Sequence, residues 1–244
     1  MSALLVAHLV SKKKESILAI DADPNSCLAD SLGIRDPKTI VGICEEVSKN
    51  MDNIPAGMTK ERFIEMRVQD AVVEAEGFDL LVMGRPEGPG CYCYVNNLLR
   101  DLIGRVTKSY DFVIIDNAAG MEHISRRTEG ELTRLVLVSD YSVPGIRSAR
   151  KIYDLAKELG IKMRGACLVM NKVSGSLSIF AEEIERSGLD VIGSLPYDEE
   201  VVSWNISNRS IFELDSKPVK DEIEQIFKNL TGERDADRIG KGKV

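Results

Sequence analysis

Two cysteines one residue apart, Cys91 and Cys93, are the residues whose types and spacing point most directly to chemistry. They lie in the segment Gly-Pro-Gly-Cys-Tyr-Cys-Tyr, where the Gly-Pro-Gly turn favours an exposed loop. A tetrahedral thiolate metal site needs four ligands, and the other three cysteines are scattered singly. The economical completion is the same pair from a second copy across a two-fold axis. The alternative is that both are small buried apolar side chains.

The composition argues against several classes of function. The 244 residues include 32 basic and 39 acidic ones, which gives a net charge of −7. Because sequence-independent DNA binding and docking on anionic membranes both need a cationic surface, we expect neither nucleic acid nor membrane as a partner. No apolar run approaches the roughly 18 residues of a membrane span, and no cleavable signal is apparent. Five cysteines without disulfide-like spacing favour a cytoplasmic location.

Short, nearly continuous apolar runs alternate with longer helical patterns along the chain. Such runs are typical of parallel strands buried on both faces, so the sequence predicts an α/β fold with a doubly wound, mainly parallel sheet and helices on both faces. The predicted strands are 17–20, 80–83, 112–115, 135–138, 166–170 and 191–193. The predicted helices are 59–75, 94–108, 146–159, 177–187 and 219–230. Residues 1–230 are expected to form a single domain, and the polar, charge-rich residues 231–244 a flexible tail.

Polar residues follow or end most of the predicted strands. Asp21 and Asp23 follow the first strand and Asp116 the third, while Asn171 follows the fifth and Pro196 the sixth. In an open parallel sheet the ligand lies outside the carboxyl ends of the strands. The sequence therefore predicts that these residues meet at one sheet edge, in the layout of a magnesium–nucleotide site.

Each of these residue types suits one part of such a site. Asp116 can hold Mg²⁺ directly or through water, and Gly120 can present its N–H to a terminal phosphate. Asp21 and Asp23 can orient an attacking water or contact the outer ligands of the metal. Asn171 suits base or ribose contacts, although an Asn-Lys pair alone is a weak signal. The alternative is that Asp and Gly only shape the turns.

With these motifs the chain resembles the MinD/ParA-type group of P-loop ATPases, which work as ATP-bound dimers. Residues 21–25, Asp-Ala-Asp-Pro-Asn, match the first switch of that group. Residues 116–123, Asp-Asn-Ala-Ala-Gly-Met-Glu-His, match its Walker B motif and second switch. Within the group, Cys91-x-Cys93 followed by Tyr-Val-Asn-Asn is similar to the CooC-type accessory ATPases. The resemblance covers residues 2–230.

The resemblance implies an ATP-dependent maturation factor, a metallochaperone for nickel insertion into carbon monoxide dehydrogenase or acetyl-CoA synthase. It implies a homodimer that uses ATP and Mg²⁺ and holds Ni²⁺ or Zn²⁺ at a shared Cys-x-Cys site, with the nickel enzyme as its client. The implied catalytic residues are Asp21, Asp23 and Asp116. The implied cofactor-binding residues are Gly120, Asn171 and Pro196, and the implied metal ligands are Cys91 and Cys93.

One motif of that group is not found in these 244 residues, a loop of the form Gly-x-x-x-x-Gly-Lys-Ser/Thr. In the family, this loop and the strand before it directly precede the helix that residues 2–10 resemble. We therefore expect the chain as given to lack the first strand and the P-loop, and hypothesise that its start is internal. Lys12, Lys13 and Lys14 are no substitute, since they lie about 15 Å along the helix from its start. Whether the chain hydrolyses ATP stays open.

Two other functions are compatible with the same residues. An iron–sulfur carrier of this ATPase group would use the four thiolates of a dimer for a cluster. A non-catalytic fragment would act only as a dimerisation or interaction module. A partitioning ATPase acting on DNA or membrane is disfavoured by the acidic balance and by the mixed charges of residues 219–228.

Overall fold

The computed structural model describes residues 1–13, 15–50, 54–85, 107–118 and 132–232. It confirms the α/β fold with mainly parallel strands and flanking helices. The strands are β1 (Ile17–Asp21), β2 (Val73–Ala75), β3 (Phe78–Val82), β4 (Phe112–Asp116), β5 (Leu135–Ser139), β6 (Ala166–Val173) and β7 (Asp190–Pro196). The helices are α1 (Ser2–Lys12), α2 (Cys27–Ser31), α3 (Ile40–Lys49), α4 (Lys60–Gln69), α5 (Val143–Glu158), α6 (Ala181–Ser187), α7 (Glu199–Ser207) and α8 (Lys217–Thr231).

The described strands form two sheets. One has the order β2-β3-β1-β4, and the other has the order β5-β6-β7. All neighbouring strands run parallel except β2, which pairs antiparallel with β3. Parallel strands bring their carboxyl ends to the same edge, so the residues that follow β1 and β4 lie side by side.

The burial of β1 explains why its sequence is a continuous apolar run. Successive strand side chains point to opposite faces of the sheet. Ile17 and Ala19 pack in a core with α1 and α2, whereas Leu18 and Ile20 pack in a second core with α3 and α4. Both faces of the sheet are therefore covered by helices, as a doubly wound fold requires. None of the described helices has the length and apolar character needed to cross a bilayer.

The first of these cores also reaches the second sheet. Val169 of β6 and Leu195 of β7 belong to the same cluster of buried side chains as Leu80 and Val82 of β3. Helix α8 lies against β7, where the Asn229 side chain donates to the carbonyl of Ile192 at 2.6 Å. The two described sheets thus share one apolar core.

The sequence-based helix 59–75 is wrong in its last part. Helix α4 ends at Gln69, and β2 then forms a hairpin with β3 through a turn at Gly77, whose φ is +86°. A β-carbon on Gly77 would lie 2.9 Å from Val10 Cγ1, so only glycine fits this turn without a shift. Helices α2, α3 and α7 were not predicted, and most of the predicted helix 94–108 lies outside the described residues.

Candidate functional site

Asp21 and Asp116 occupy equivalent positions at the ends of two neighbouring strands. They are partners in the register of β1 and β4. The backbone N–H of Ala22 donates to the carbonyl oxygen of Asp116 at 2.8 Å, so the pairing continues one residue past the end of β1. The structure therefore brings the two carboxylate-bearing turns together at one sheet edge.

Asp21 is fully buried, and backbone donors contact both of its carboxylate oxygens. Oδ2 accepts from the N–H of Ala29 in α2 at 2.9 Å, and Oδ1 accepts from the N–H of Asp23 at 3.2 Å. Burial raises the pKa of Asp21, the nearby Asp116 carboxylate adds to this, and the backbone N–H donors offset part of it. These bonds make Asp21 the residue that shapes the turn between β1 and α2.

Asp23 is only partly buried and has one oxygen in a local turn. Its Oδ1 accepts from the N–H of Asn25 at 2.8 Å, and its carbonyl accepts from the N–H of Ser26 at 3.0 Å. Its Oδ2 accepts no hydrogen bond from any residue that the structure describes. Of the two aspartates after β1, Asp23 is therefore the one placed to contact a ligand or water.

Ser2 is a site residue that the sequence reasoning missed. It is the first residue of α1, and its hydroxyl donates a hydrogen bond to Asp116 Oδ1. The first N–H groups of a helix have no partner within the helix and carry its positive dipole end, which favours anions. A hydroxyl at the first position of a helix was the available signal, but only the fold shows that it meets Asp116.

The donor set at this edge fits Mg²⁺ together with a phosphate ligand. Ser2 and Asp116 offer a hydroxyl and a carboxylate, which are the hard oxygen donors that Mg²⁺ prefers. Among the described residues, no group of three or more His, Cys, Asp or Glu side chains is arranged to hold a metal ion alone. Mg²⁺ is usually bound by one or two protein groups, waters and substrate phosphates, which matches this sparse arrangement.

The N-terminal amine of the chain lies beside the same carboxylate. Burial lowers the pKa of the Met1 amine, and the charge of Asp116 opposes that shift. The Met1 amine and the Asp116 carboxylate therefore interact electrostatically at this edge of the sheet.

Asn171 lies inside β6, not after it as the sequence predicts. Met170 pairs with Ser194 and Val173 with Pro196, so β6 uses one residue more than β7 over this stretch. The extra residue is a bulge, in which Lys172 has a φ of +56° and its N–H donates to Asn171 Oδ1 at 3.0 Å. Bulges re-aim side chains beside functional sites. Asn171 and Pro196 thus share the carboxyl end of the second sheet.

Three of the predicted site residues, Gly120, Cys91 and Cys93, lie outside the described residues. Burial raises the pKa of the Cys44 and Cys167 thiols to about 11. Cys27 is exposed, but desolvation and neighbouring aspartates raise the pKa of its thiol as well. Because thiolates are the metal-binding form, the three described cysteines are poor metal ligands.

Comparisons with known proteins agree with this geometry. The profile of the CobQ/CobB/MinD/ParA nucleotide binding domain matches residues 1–211. An uncharacterised ATP-binding protein of Methanocaldococcus jannaschii is 39% identical over 234 residues, which are 94% of this chain and 92% of that protein. The carbon monoxide dehydrogenase accessory protein CooC of Rhodospirillum rubrum is 28% identical over 86% of this chain and 83% of its own length.

Two solved structures are similar in fold. The cell division ATPase MinD of Pyrococcus furiosus superposes with a TM-score of 0.67 at 18% identity, over 95% of this chain and 91% of that one. A ParA family ATPase from Chlorobium tepidum TLS superposes with a TM-score of 0.66 at 19% identity, over 94% and 91%. At these identities the likeness concerns the fold.

Proposed function

This chain belongs to the CobQ/CobB/MinD/ParA nucleotide-binding family, and from that premise we propose that it is an ATP-dependent maturation factor that supplies nickel to carbon monoxide dehydrogenase or acetyl-CoA synthase. The observation that carries the nucleotide part is the hydrogen bond from the Ser2 hydroxyl to the Asp116 carboxylate. The nickel part is supported by the name of the CooC relative and by the Cys91–Cys93 pair.

In the proposed mechanism each carboxylate has a separate task. Ser2 and Asp116 hold Mg²⁺, which when bound neutralises charge on the phosphates of ATP. Asp23 orients the attacking water, since one of its oxygens is not engaged by the described residues. Asp21 stays buried and keeps the turn that carries Asp23 in shape through its bonds to Ala29 and Asp23. Hydrolysis then depends on the turn after β1 and on the end of β4 together.

The nucleotide has two further proposed contacts in this chain. Asn171 recognises the base from the bulge in β6, and Pro196, the partner of Val173, lies at the end of β7. Gly120 follows Asp116 by four residues, and we assign its N–H to the terminal phosphate. The base and the phosphates would then lie along the carboxyl ends of both sheets.

The nickel ion is cargo in this proposal. Cys91 and Cys93 of two copies supply four thiolates to one metal ion, and ATP binding and hydrolysis shift the dimer between states that hold and release it. The other three cysteines have raised thiol pKa values, which supports this choice of ligands. The reducing cytoplasm, where such thiolates persist, is the proposed location.

Calorimetric titration with Mg·ATP tests the nucleotide part. Residues 1–244 and the product of any in-frame upstream start are compared, each with Asp116→Ala. Asp111→Ala is the matched control, since Asp111 immediately precedes the opposite end of β4 and bonds to Ser16. We expect Asp116→Ala to weaken Mg²⁺-dependent binding and hydrolysis while Asp111→Ala keeps both. Failure of both parent forms to bind nucleotide, or an Asp116→Ala variant equal to its parent, would contradict the proposal.

A further inference from the structure

An open apolar groove lies at the amino ends of β1 and β3, the edge of the first sheet opposite to the candidate nucleotide site. Its volume is about 870 Å³, in the range of protein ligand pockets. Its apolar lining includes Leu9, Val10, Ile17, Ile34, Phe78 and Phe212. Phe212 stacks on the buried Phe78 with the ring centroids 5.7 Å apart, yet 44% of Phe212 is exposed. The groove therefore contains an aromatic surface that the described residues leave partly uncovered.

Two carboxylates and one ammonium group line the same groove. They belong to Glu15, Glu76 and Lys13, which are all exposed, so negative charge predominates there. Neither Glu15 nor Glu76 has an ion-pair or hydrogen-bond partner in the part of the chain that the structure describes. An occupant that combines an apolar side chain with cationic groups would complement both the lining and the charge.

Helix α8 ends at the same edge of the sheet. Phe227, in its last two turns, contacts Phe112 at the start of β4, with the ring centroids 5.7 Å apart. Phe112 is the register partner of Ile17, which lines the groove one strand spacing away, about 4.8 Å. Gly232 caps the helix with a φ of +72°. The chain that follows Gly232 therefore starts at the edge where the groove lies.

The sequence after Gly232 has the composition that the groove calls for. Residues 233–244, which lie outside the described residues, read Glu-Arg-Asp-Ala-Asp-Arg-Ile-Gly-Lys-Gly-Lys-Val. All the acidic residues of this segment precede Arg238, and the residues from Arg238 onward are basic, apolar or glycine. Ile239 thus offers an apolar side chain with Arg238 before it and Lys241 shortly after it.

The segment is long enough to reach the groove. Helix α1 lies between α8 and the groove, since His8 contacts Phe227 while Val10 lines the groove. An extended chain spans at most 3.3–3.6 Å per residue, so residues 233–238 can cover about 20 Å. That span exceeds the diameter of a helix with its side chains, about 10–12 Å.

We propose that residues 238–241 of the chain dock in this groove, with Ile239 against Phe212 and the basic groups of Arg238 and Lys241 at the carboxylates of Glu15 and Glu76. Docking covers the exposed face of the Phe212 ring and offsets the negative charge around it. Because the groove lies at the opposite edge of the sheet from the candidate nucleotide site, the inference is independent of nucleotide and metal binding. A partner segment of the same chemistry would have to displace these residues.

Limited trypsin digestion of the full chain measures the docking, because the protease cleaves the undocked segment. The rate of cleavage after Arg238 is followed by mass spectrometry and divided by the rate for a synthetic peptide of residues 233–244. Replacing Glu15 and Glu76 together by glutamine should raise this ratio about two- to tenfold, the effect of losing two exposed ion pairs. Glu158→Gln with Glu185→Gln is the matched control and should leave the ratio unchanged, because both residues are exposed on α5 and α6, outside the groove.

Ile239→Ser tests the docking from the side of the segment, where folding of the domain is not at risk. Measured against a peptide with the same substitution, the ratio should rise about tenfold or more, because the apolar side chain is lost. Val244→Ser, beyond the docked residues, is the control. A ratio that stays at the parent value in both the glutamine pair and Ile239→Ser overturns the proposal. A ratio that falls as the protein concentration rises would assign the groove to the segment of a second copy, and would overturn docking within one chain.

Discussion

Asp21 and Asp116 lie opposite each other on neighbouring parallel strands, yet only Asp21 of this pair is fully buried. The Asp21 oxygens accept from backbone N–H groups of the turn that follows it and of α2, whereas Asp116 accepts from the hydroxyl of Ser2 on α1. One carboxylate thus organises its own loop, and the other links β4 to the start of α1. This division leads to separate predictions for the two strand ends.

Ser2→Ala should reduce Mg²⁺-dependent nucleotide binding by about 10- to 100-fold, the usual loss when a residue that binds or orients a metal ligand is removed. Ser2→Thr keeps the hydroxyl and should restore most of the affinity. The measurement is nucleotide affinity with Mg²⁺ and with EDTA. Ser11→Ala, at the other end of α1, is the control, since its hydroxyl bonds only to the carbonyl of His8 among the described residues. An equal loss with EDTA would argue against a role in cation binding.

Asp21→Asn should change how stability depends on pH. The pKa of Asp21 is raised by burial, so the folded state binds the proton more tightly than the unfolded state, where the value is 3.8. Between 3.8 and the raised pKa, the folded protein therefore loses stability as the pH rises. Asparagine does not titrate, so the Asp21→Asn variant lacks this pH dependence. The free energy of unfolding of the parent should therefore fall relative to that of the variant as the pH rises from 3.8 to the raised pKa.

Asp111→Asn is the matched comparison, because the pKa of Asp111 is shifted in the opposite direction to that of Asp21. Hydrogen bonds from Ser16 lower the pKa of Asp111. The Asp111 carboxylate therefore stabilises the folded protein above pH 3.8, and this stabilisation is lost as the pH falls through the lowered pKa. Urea unfolding of the parent and both variants at several pH values measures these trends. Parallel pH trends for the two variants would contradict the assigned environment of Asp21.

Replacement of both Cys91 and Cys93 by serine should abolish stoichiometric binding of Ni²⁺ or Zn²⁺. It should also weaken metal-induced dimerisation, because serine hydroxyls do not supply thiolates. Equilibrium dialysis and light scattering measure the two effects. Cys27→Ser is the control, since Cys27 is exposed but has a raised thiol pKa. Metal binding as tight as in the parent would place the site elsewhere, and visible absorption after anaerobic purification would favour an iron–sulfur cluster.

Gly84→Ala should destabilise the protein more than Gly57→Ala. Both glycines have positive φ, +78° and +84°, so both variants carry a backbone penalty of about 1–2 kcal/mol. A β-carbon on Gly84 would also lie 2.6 Å from the Thr39 side chain, whereas nothing lies within 4 Å at Gly57. Thermal or urea unfolding measures the difference, and equal losses would show that Thr39 can move aside.

The central strands could be predicted because burial on both faces leaves a visible mark in the sequence. Leu18, Ala19 and Ile20 are apolar since helices cover both sides of β1. The position of Asp116 followed from the same rule, because strand ends in parallel sheets share an edge. Local sequence was sufficient for these features.

Other features depend on contacts between distant segments and were not predictable. The contact of Ser2 with Asp116 spans 114 positions in the chain. The bulge at Asn171 exists because β6 has to pair with β7, and nothing in the Asn-Lys pair itself signals it. Strand β2 is three residues long, too short for a periodic pattern, and only its pairing with β3 defines it.

The short edge strand β2 affects how readily other chains can add to this sheet. A strand at the edge of a sheet exposes a row of unpaired backbone donors and acceptors. Another chain can pair with this row and begin aggregation. Here the edge strand beside β3 is β2, which has only three residues and carries the exposed Glu74. A short, charged edge strand disfavours pairing with other chains, so the apolar strands β3 and β1 are shielded from aggregation.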